Sequence, residues 1–289
     1  MKKTLFTAAI AVTLLATSCS DKDSELTETF GLPLLNLVTG DGPTKIVGSN
    51  YAFTVNYTDQ KLDCSTQLPL GDSKLVLDLD DASYKFANYG FQTTASSIPV
   101  EGSATDITNF TCNLSNLQVE APDVPGSIQF AKSTQGIIGY NYGDVKVRTF
   151  PIDAVYSGYT TTTINGGSSF TTDKPLYRLK IDPSKLTATL LIYNGKFSAN
   201  PRMPELNLRL EGLKVTANET GYVIAGENIV PVTMGEGTPY PDFTFAEVSY
   251  ETLGADLTTG KLSFRIPSKM GELAASFQGS YLIDTSKLN

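Results

Sequence analysis

The sequence predicts an all-β protein that contains two copies of an antiparallel meander of about eight strands each. Apolar and polar residues alternate along most of the chain, which is the pattern of half-buried strands. No stretch beyond the N-terminal region shows the 3.6-residue apolar period of a helix, so no substantial helix is expected there. A series of sequence phrases also recurs in order at a nearly constant spacing.

The strands of the first unit are separated by residues that favour turns. The alternation predicts strands near 30–38, 46–56, 61–68, 74–86, 90–98, 107–119, 126–131 and 138–149. Between them lie segments such as Gly40–Pro43 and Glu101-Gly102, which carry turn-forming residues. Most of these joins are short enough for hairpins, so neighbouring strands should pair antiparallel. Eight such strands suit either a closed barrel or a two-sheet sandwich.

The internal repeat divides the chain into domain-sized units, predicted at residues 30–150 and 151–289. Five matches carry it, at offsets that rise along the chain. They are Thr39-Gly40 with Asn165-Gly166 and Tyr51–Val55 with Tyr177–Ile181 at 126, Leu75–Leu79 with Leu206–Leu210 at 131, Phe110-Thr111 with Phe243-Thr244 at 133, and Gly126–Phe130 with Gly260–Phe264 at 134. A weaker match of Lys61-Leu62 with Lys185-Leu186, at 124, departs from this trend.

Both units share a shift of phase within one strand. Inward-facing apolar residues occupy every second position, and this alternation shifts by one residue at Asp80-Asp81 in the first unit and at Glu211-Gly212 in the second. A β-bulge produces such a shift, and a glycine can supply the positive φ that a bulge often needs. A tight turn joining two shorter strands is the alternative.

The N-terminus has the order of a signal peptide. Met1-Lys2-Lys3 is basic, an apolar run extends from Leu5 to Ala16, and Cys19 follows small residues. The run is shorter than the roughly 20 residues that a spanning helix needs. We therefore predict a signal peptide at 1–18, acylation of Cys19, attachment to the membrane through that anchor, and a tether over 19–29. An ordinary secretory signal, with Cys19 incidental, is the alternative.

This N-terminus resembles bacterial lipoprotein signal peptides, and its looser lipobox is similar to those of the Bacteroidota. The acidic residues that follow Cys19 resemble the surface-export signal of that group. The meander, together with the phrases at 208–216 and 221–226, looks like the calycin-like β-barrel lipoproteins of the Bacteroidota, here in tandem. The resemblance implies an outer-membrane lipoprotein, exposed at the surface or held on the periplasmic face, whose barrel can hold a small ligand.

Composition excludes several classes of chemistry. Without residues 1–18 the chain keeps 20 basic and 30 acidic side chains, and it contains no long run of Lys or Arg. This acidic balance argues against nucleic acid as a partner. The chain contains no histidine, so Ser-His-Asp or Cys-His catalysis and His-ligated metals are impossible. No cofactor is expected. The cluster of Asp78, Asp80 and Asp81 suggests Ca²⁺, but it lacks EF-hand spacing and we interpret it as a solvated strand face.

Cys64 and Cys112 lie on the apolar faces of their predicted strands. They form either a disulfide of an oxidising compartment or two buried thiols, and spacing alone leaves both alternatives open. Three tyrosines in predicted turns, Tyr57, Tyr89 and Tyr240, are the candidates to face a ligand.

The sequence names no catalytic residue and no metal site, and it favours binding over catalysis. The first hypothesis is non-enzymatic binding of a glycan or a small apolar ligand at the outer membrane. A structural or adhesive component, such as a pilin-like subunit, is the second, and a free sheet edge would favour it. A histidine-free hydrolase is the third, and a cleft with convergent carboxylates would favour it.

Overall fold

The computed structural model describes residues 27–40, 42–87, 90–115, 135–218, 221–253, 259–268 and 271–281. Within these ranges the protein is built from β-strands, with one 3₁₀ turn at Pro241–Phe243. None of the described residues forms a helix that is long and apolar enough to cross a membrane.

The first barrel consists of eight antiparallel strands in chain order. They are β1 (Thr27–Thr39), β2 (Lys45–Asn56), β3 (Lys61–Leu70), β4 (Ser73–Ala87), β5 (Gly90–Ile98), β6 (Ile107–Ser115), β7 (Gln135–Tyr142) and β8 (Val145–Pro151). Each strand pairs with the next, and β8 pairs with β1 to close the barrel. Alternate apolar side chains fill the interior, as the period of two requires.

The second barrel repeats this plan with additions. Its strands are β9 (Asp153–Ile164), β10 (Phe170–Thr172), β11 (Leu176–Asp182), β12 (Thr187–Gly195), β13 (Leu206–Ala217), β14 (Tyr222–Ile229), β15 (Val232–Thr233), β16 (Phe245–Leu253), β17 (Thr259–Ser268) and β18 (Gly271–Tyr281). The short β10 and β11 pair with successive parts of β9 and together take one place in the wall. The pairing of β18 with β9 closes the barrel, while β15 pairs with β13.

The predicted fold class is confirmed, and the structure decides for a closed barrel over a sandwich. The single strand predicted at 138–149 was wrong, because a turn at Gly143, where φ is +57°, divides it into β7 and β8. Alternation continued across this tight turn and concealed it. The strand predicted at 126–131 lies outside the described residues.

The strand registers test the repeat position by position. Ala82 of β4 and Leu213 of β13 correspond at offset 131. They lie opposite Leu62 and Ala188, so β3 and β12 correspond at offset 126. The weaker match at 124 was therefore misaligned, and its departure from the trend disappears.

The first of the five matches was misaligned as well. Tyr51 lies opposite Leu32 and its counterpart Tyr177 lies opposite Tyr156, so β1 and β9 correspond at 124 and not at 126.

The two downstream matches were also wrong as alignments. β5 and β14 correspond at offset 131, so Gln92 corresponds to Val223. Gln92 pairs with Asn113 and Val223 pairs with Glu251, so Asn113 corresponds to Glu251 and the offset between β6 and β16 is 138. Cys112 therefore corresponds to Tyr250. Those two residues face Ile138 and Leu262, so β7 and β17 correspond at 124. The offset rises and then falls, because insertions in different connections compensate one another.

The predicted bulges are confirmed at both positions. On β4, Asp80 and Asp81 together oppose one residue of β3, and on β13 Glu211 and Gly212 do the same against β12. Asp81 has φ +53° and Gly212 has φ +74°, so each bulge places its second residue in the left-handed region.

A buried hydrogen bond also recurs at equivalent positions. In the first barrel, the Tyr51 hydroxyl donates to Asn36 Oδ1 over 2.6 Å. In the second, the hydroxyls of Tyr177 and Thr160 lie 3.0 Å apart. Each pair satisfies polar atoms inside an apolar core, where an unpaired group would be costly. The duplication therefore preserved the polar pairing as well as the strand order.

The outer face of the first barrel packs against the second barrel. Along β1, Leu34 and Val38 point into the first core, whereas Leu35 and Leu37 point outward and are fully buried in the core cluster of the second barrel. Phe150 of β8 belongs to that same cluster. The five consecutive buried residues of β1 thus serve two cores.

This contact covers one end of the second barrel. The ring of Phe150 meets Tyr222 edge-on with centroids 5.1 Å apart, and Tyr222 begins β14. Gly48 of β2 lies directly against Pro183 in the turn between β11 and β12. Only Ile152 separates β8 from β9. The wall of the first barrel therefore closes the end of the second barrel at which its chain begins.

Replacing Gly212 with alanine tests the bulge. No atom lies within 4 Å of the added Cβ, so the cost comes from its positive φ alone. We expect Gly212→Ala to lower the free energy of unfolding by about 1–2 kcal/mol in urea denaturation. Gly42→Ala is the matched control, because it also enters open space and has no positive φ. Equal stabilities for the two variants would contradict a strained bulge.

Candidate functional site at the rim of the second barrel

The middle of the second barrel is filled by large side chains. Four tyrosines and several phenylalanines of its core cluster are almost completely buried, among them Tyr156, Tyr222, Tyr250 and Phe277. Burial raises the pKa of the three phenols of Tyr156, Tyr222 and Tyr250, so they stay neutral at physiological pH. This interior serves packing, and the space for a ligand lies above it, at the end away from the first barrel.

A pocket of about 200 Å³ opens at that end. The turn after β9, the loop between β12 and β13, the connection before β16 and the β17–β18 hairpin all contribute to it. The lining is mostly apolar and consists of Ile164, Met203, Tyr240, Asp242, Phe243, Ile266, Ser268 and Leu273.

A stacked aromatic pair forms one wall of this rim pocket. The rings of Tyr240 and Phe243 are nearly parallel, at 6°, with centroids 5.2 Å apart. Both side chains are half-buried and rest on the core of the second barrel. The Asp242 carboxylate lies between them in sequence and is exposed. The wall therefore presents an aromatic surface with a charged group at its edge.

The connection that carries this pair is longer than its counterpart. Fifteen residues, 230–244, join β14 to β16, whereas eight, 99–106, join β5 to β6. The seven extra residues account for the change of offset from 131 to 138. They allow β15 and a following turn to form, held by Thr233 N donating to Thr238 O and Tyr240 N donating to Pro231 O, both over 2.8 Å.

The loop between β12 and β13 contributes Met203 to the lining of the pocket. Phe197 is fully buried and packs edge-on against Phe264. Its carbonyl accepts a hydrogen bond from the Thr162 hydroxyl over 2.8 Å. The Lys196 ammonium donates to the carbonyl of Met203 over 2.6 Å. These contacts hold the Met203 side chain at the pocket.

The first barrel carries a pocket at the equivalent end. Its volume is about 250 Å³, and Gly40 and Val145 in its lining correspond to Ile164 and Leu273 of the rim pocket. None of its described lining residues is aromatic. Among the described residues that line these two pockets, those of the second barrel form an aromatic wall and those of the first do not.

An open trough of about 630 Å³ also runs along the outer wall of β9, β17 and β18. Tyr159 stands in it with 67 % of its surface exposed, among hydroxyl and amide side chains such as Thr161, Ser276 and Gln278. This trough offers one aromatic face surrounded by hydrogen-bonding groups.

The other predicted candidates fall elsewhere. Tyr240 lines the rim pocket, whereas the Tyr57 hydroxyl donates to Glu28 Oε2 over 2.6 Å at the first barrel. Tyr89 and Cys19 lie outside the described residues. Asp78, Asp80 and Asp81 are exposed, and no group of three metal-ligating carboxylates or thiols occurs in the part of the chain that the structure describes.

Cys64 and Cys112 both lie in the core of the first barrel as free thiols. Burial raises the pKa of each, which keeps them protonated. They form no part of the rim pocket.

Sequence reasoning found Tyr240 but missed Phe243 as a partner, because Phe243 was aligned with Phe110 of the first barrel. It also missed Met203. The signal that could have found Phe243 is the extra length between β14 and β16, which carries Pro239, Tyr240, Pro241 and Phe243 within five residues.

Comparison with known proteins finds solved structures that match at low TM-scores. No family model and no curated protein matches the chain. Among solved structures it is similar to transferrin binding protein B of Neisseria meningitidis, at 9 % identity over 89 % of this chain and 77 % of the other, with a TM-score of 0.27. A protein of unknown function of the DUF3598 family from Nostoc punctiforme matches at 7 % identity over 87 % and 95 %, with a TM-score of 0.27. A transferrin binding protein B variant of Haemophilus parasuis matches at 8 % over 89 % and 77 %, with a TM-score of 0.26.

Thiol titration tests the state of the two buried cysteines. In a Cys19→Ser variant, we expect neither thiol to react with Ellman's reagent in the folded protein, because both side chains are almost fully buried. We expect two thiols per chain to react after unfolding without reductant. Thiols that appear only after reduction would show a Cys64–Cys112 disulfide instead.

Proposed function

We propose that the protein is a lipid-anchored, non-enzymatic binding protein of the cell envelope, and that the rim pocket of the second barrel takes the apolar part of a small ligand. The observation that carries this proposal is the aromatic wall of Tyr240 and Phe243 over an otherwise apolar pocket. The anchor on Cys19 and a place on the outer face of the outer membrane complete the proposal. They rest on the lipoprotein-like N-terminus.

The size of the pocket limits what it can hold. A complete drug-sized ligand commonly fills about 300–1,000 Å³. A pocket of about 200 Å³ suits one ring or a short alkyl chain, with the remainder of the ligand in solvent. Asp242 at the edge would attract a donor or a positive charge on that remainder, whereas the apolar floor contributes most of the binding free energy.

The surroundings of the pocket favour binding over catalysis. The floor is the packed core of the second barrel, and the far end of that barrel is covered by the first. The lining residues include one carboxylate, one hydroxyl and one phenol. The sequence contains no histidine to activate the hydroxyl. A rigid site of this kind selects by shape and apolar surface.

Aromatic substitutions in the full chain test the rim pocket. The probe is N-phenyl-1-naphthylamine, a neutral fluorophore whose emission rises in apolar surroundings. We expect Tyr240→Ala and Phe243→Ala each to weaken its binding at least fivefold, because each removes half of the stacked wall. Tyr159→Ala removes an exposed tyrosine from the outer wall and is the matched control. Unchanged probe affinity in both pocket variants would contradict the proposal.

Glycan binding is the second candidate function, and the Tyr159 trough is the observation that favours it. An exposed ring flanked by hydroxyl and amide groups can stack against a sugar while its neighbours form hydrogen bonds. The same variants separate the two functions. A glycan bound in the trough would be lost in Tyr159→Ala and kept in Tyr240→Ala, the reverse of the result expected for an apolar ligand.

A further inference from the structure

We infer that the edge of β4 in the first barrel, over Val76–Asp80, is a docking site for an extended basic segment of a partner protein, which would add a strand to the barrel wall. The argument starts from a difference between the two barrels. In both, the fourth and fifth strands pair over only part of their length and then diverge. In the second barrel another strand covers the exposed edge, whereas in the first no described strand does.

The divergence has nearly the same extent in the two barrels. β4 pairs with β5 through Tyr84–Ala87, and β13 pairs with β14 through Lys214–Ala217. At offset 131 the two ladders overlap in three of their four positions and are displaced by one residue. The preceding half of each strand pairs on its other side, with β3 or with β12. In that preceding half, the described residues of β4 form no hydrogen-bonded pairs with β5, and those of β13 form none with β14.

In the second barrel, β15 covers this edge. Leu208 and Arg209 pair with Thr233 and Val232, and Met234 N donates to the carbonyl of Asn207 over 3.1 Å. The covering strand comes from the seven-residue extension of the β14–β16 connection. The backbone of Asn207 therefore points to the edge that β15 occupies.

The equivalent edge of the first barrel has no such extension. Val76 corresponds to Asn207 and Asp78 to Arg209, so the backbone groups of Val76 and Asp78 point to the same side. In the described part of the chain no strand pairs with that side. Val76 and Asp78 are exposed, whereas Asn207 and Arg209 are half-buried. An open strand edge with unpaired N–H and C=O groups is a template for an added strand.

The charge of the edge identifies the kind of occupant. The outward side chains along it are Lys74, Val76, Asp78 and Asp80, followed by Asp81 at the bulge, and all are exposed. An incoming strand that carries Lys or Arg on its outward face would pair with the carboxylates. A second copy of this chain docked edge to edge would supply one lysine, Lys74, against three aspartates, so it complements the charge of the edge less well than a basic segment does. The edge thus fits a basic partner segment with apolar residues at the alternate, inward positions.

This surface is independent of the rim pocket. The pocket lies on the second barrel and takes an apolar group, whereas the β4 edge lies on the first and would bind main chain and charge. Failure of either proposal leaves the other standing.

Peptide binding to the full chain tests the β4 edge. The probe is a fluorescent ten-residue peptide of alternating valine and lysine. We expect it to slow hydrogen exchange at the amides of Val76 and Asp78, which should exchange rapidly in the free protein. The same peptide N-methylated at the residues that face the edge should not bind. Slow exchange of these two amides in the free, dilute protein, at the level of Leu77, would overturn the proposal because the edge would already be covered.

Charge reversal provides the second test. The double variant Asp78→Lys/Asp80→Lys should bind the basic peptide at least tenfold more weakly and should gain affinity for alternating valine and glutamate. Glu101→Lys/Asp144→Lys changes the net charge equally at two exposed turn positions and should change affinity less than twofold. Equal loss in both double variants would overturn the proposal, since binding would then follow net charge alone.

A backbone variant separates the partner from a second copy. Val76→Pro removes the outward N–H and should weaken peptide binding at least tenfold, while Val76→Thr keeps it. A concentration-dependent dimer in sedimentation that Val76→Pro dissolves would overturn the choice of a basic partner in favour of a second copy of the chain.

Discussion

The buried contact between the wall of the first barrel and the end of the second organises the protein. A strand of a closed barrel normally buries one face and exposes the other, but β1 buries both. Its inward residues, Leu34 and Val38, pack in the first barrel, and its outward leucines join Phe150 in the core of the second. The two barrels are thereby fixed end to wall, and the open end of the second is turned away from the first. The position of the rim pocket follows from this arrangement.

The two barrels share a frame and differ in the lengths of several connections, of which the one before β16 bears on both proposed binding surfaces. The bulges on β4 and β13 and the buried tyrosine hydrogen bonds occupy equivalent positions, so the frame was kept after duplication. The seven-residue extension before β16 changed the second barrel twice. It built the aromatic wall of the rim pocket, and it covered with β15 the strand edge that the first barrel leaves open. One insertion thus gives the two halves different binding surfaces.

The sequence predicts the frame well, because alternation and bulges are local properties. The phase shift at Gly212 could be located to the residue, since every side chain beyond it changes face. The turn at Gly143 was missed because alternation continues through a tight hairpin. The sequence could not reveal that Leu35 and Leu37 face a second core, since an outward leucine looks the same whether it meets solvent or a neighbouring barrel. It showed Tyr240 as an aromatic in a turn, but its stacking on Phe243 depends on the fold of the longer connection.

Hydrogen exchange in the full chain tests most directly whether the wall of the first barrel completes the core of the second. Phe150→Ala deletes a wall residue that meets Tyr222, whereas Phe110→Ala deletes a phenylalanine of equal burial inside the first barrel. Each should cost about 3–5 kcal/mol where its ring packs. We predict that Phe150→Ala lowers the opening free energy of amides in β14 by more than Phe110→Ala does. An unchanged opening free energy in β14 of the Phe150→Ala protein would contradict the account, because the second core would then be complete by itself.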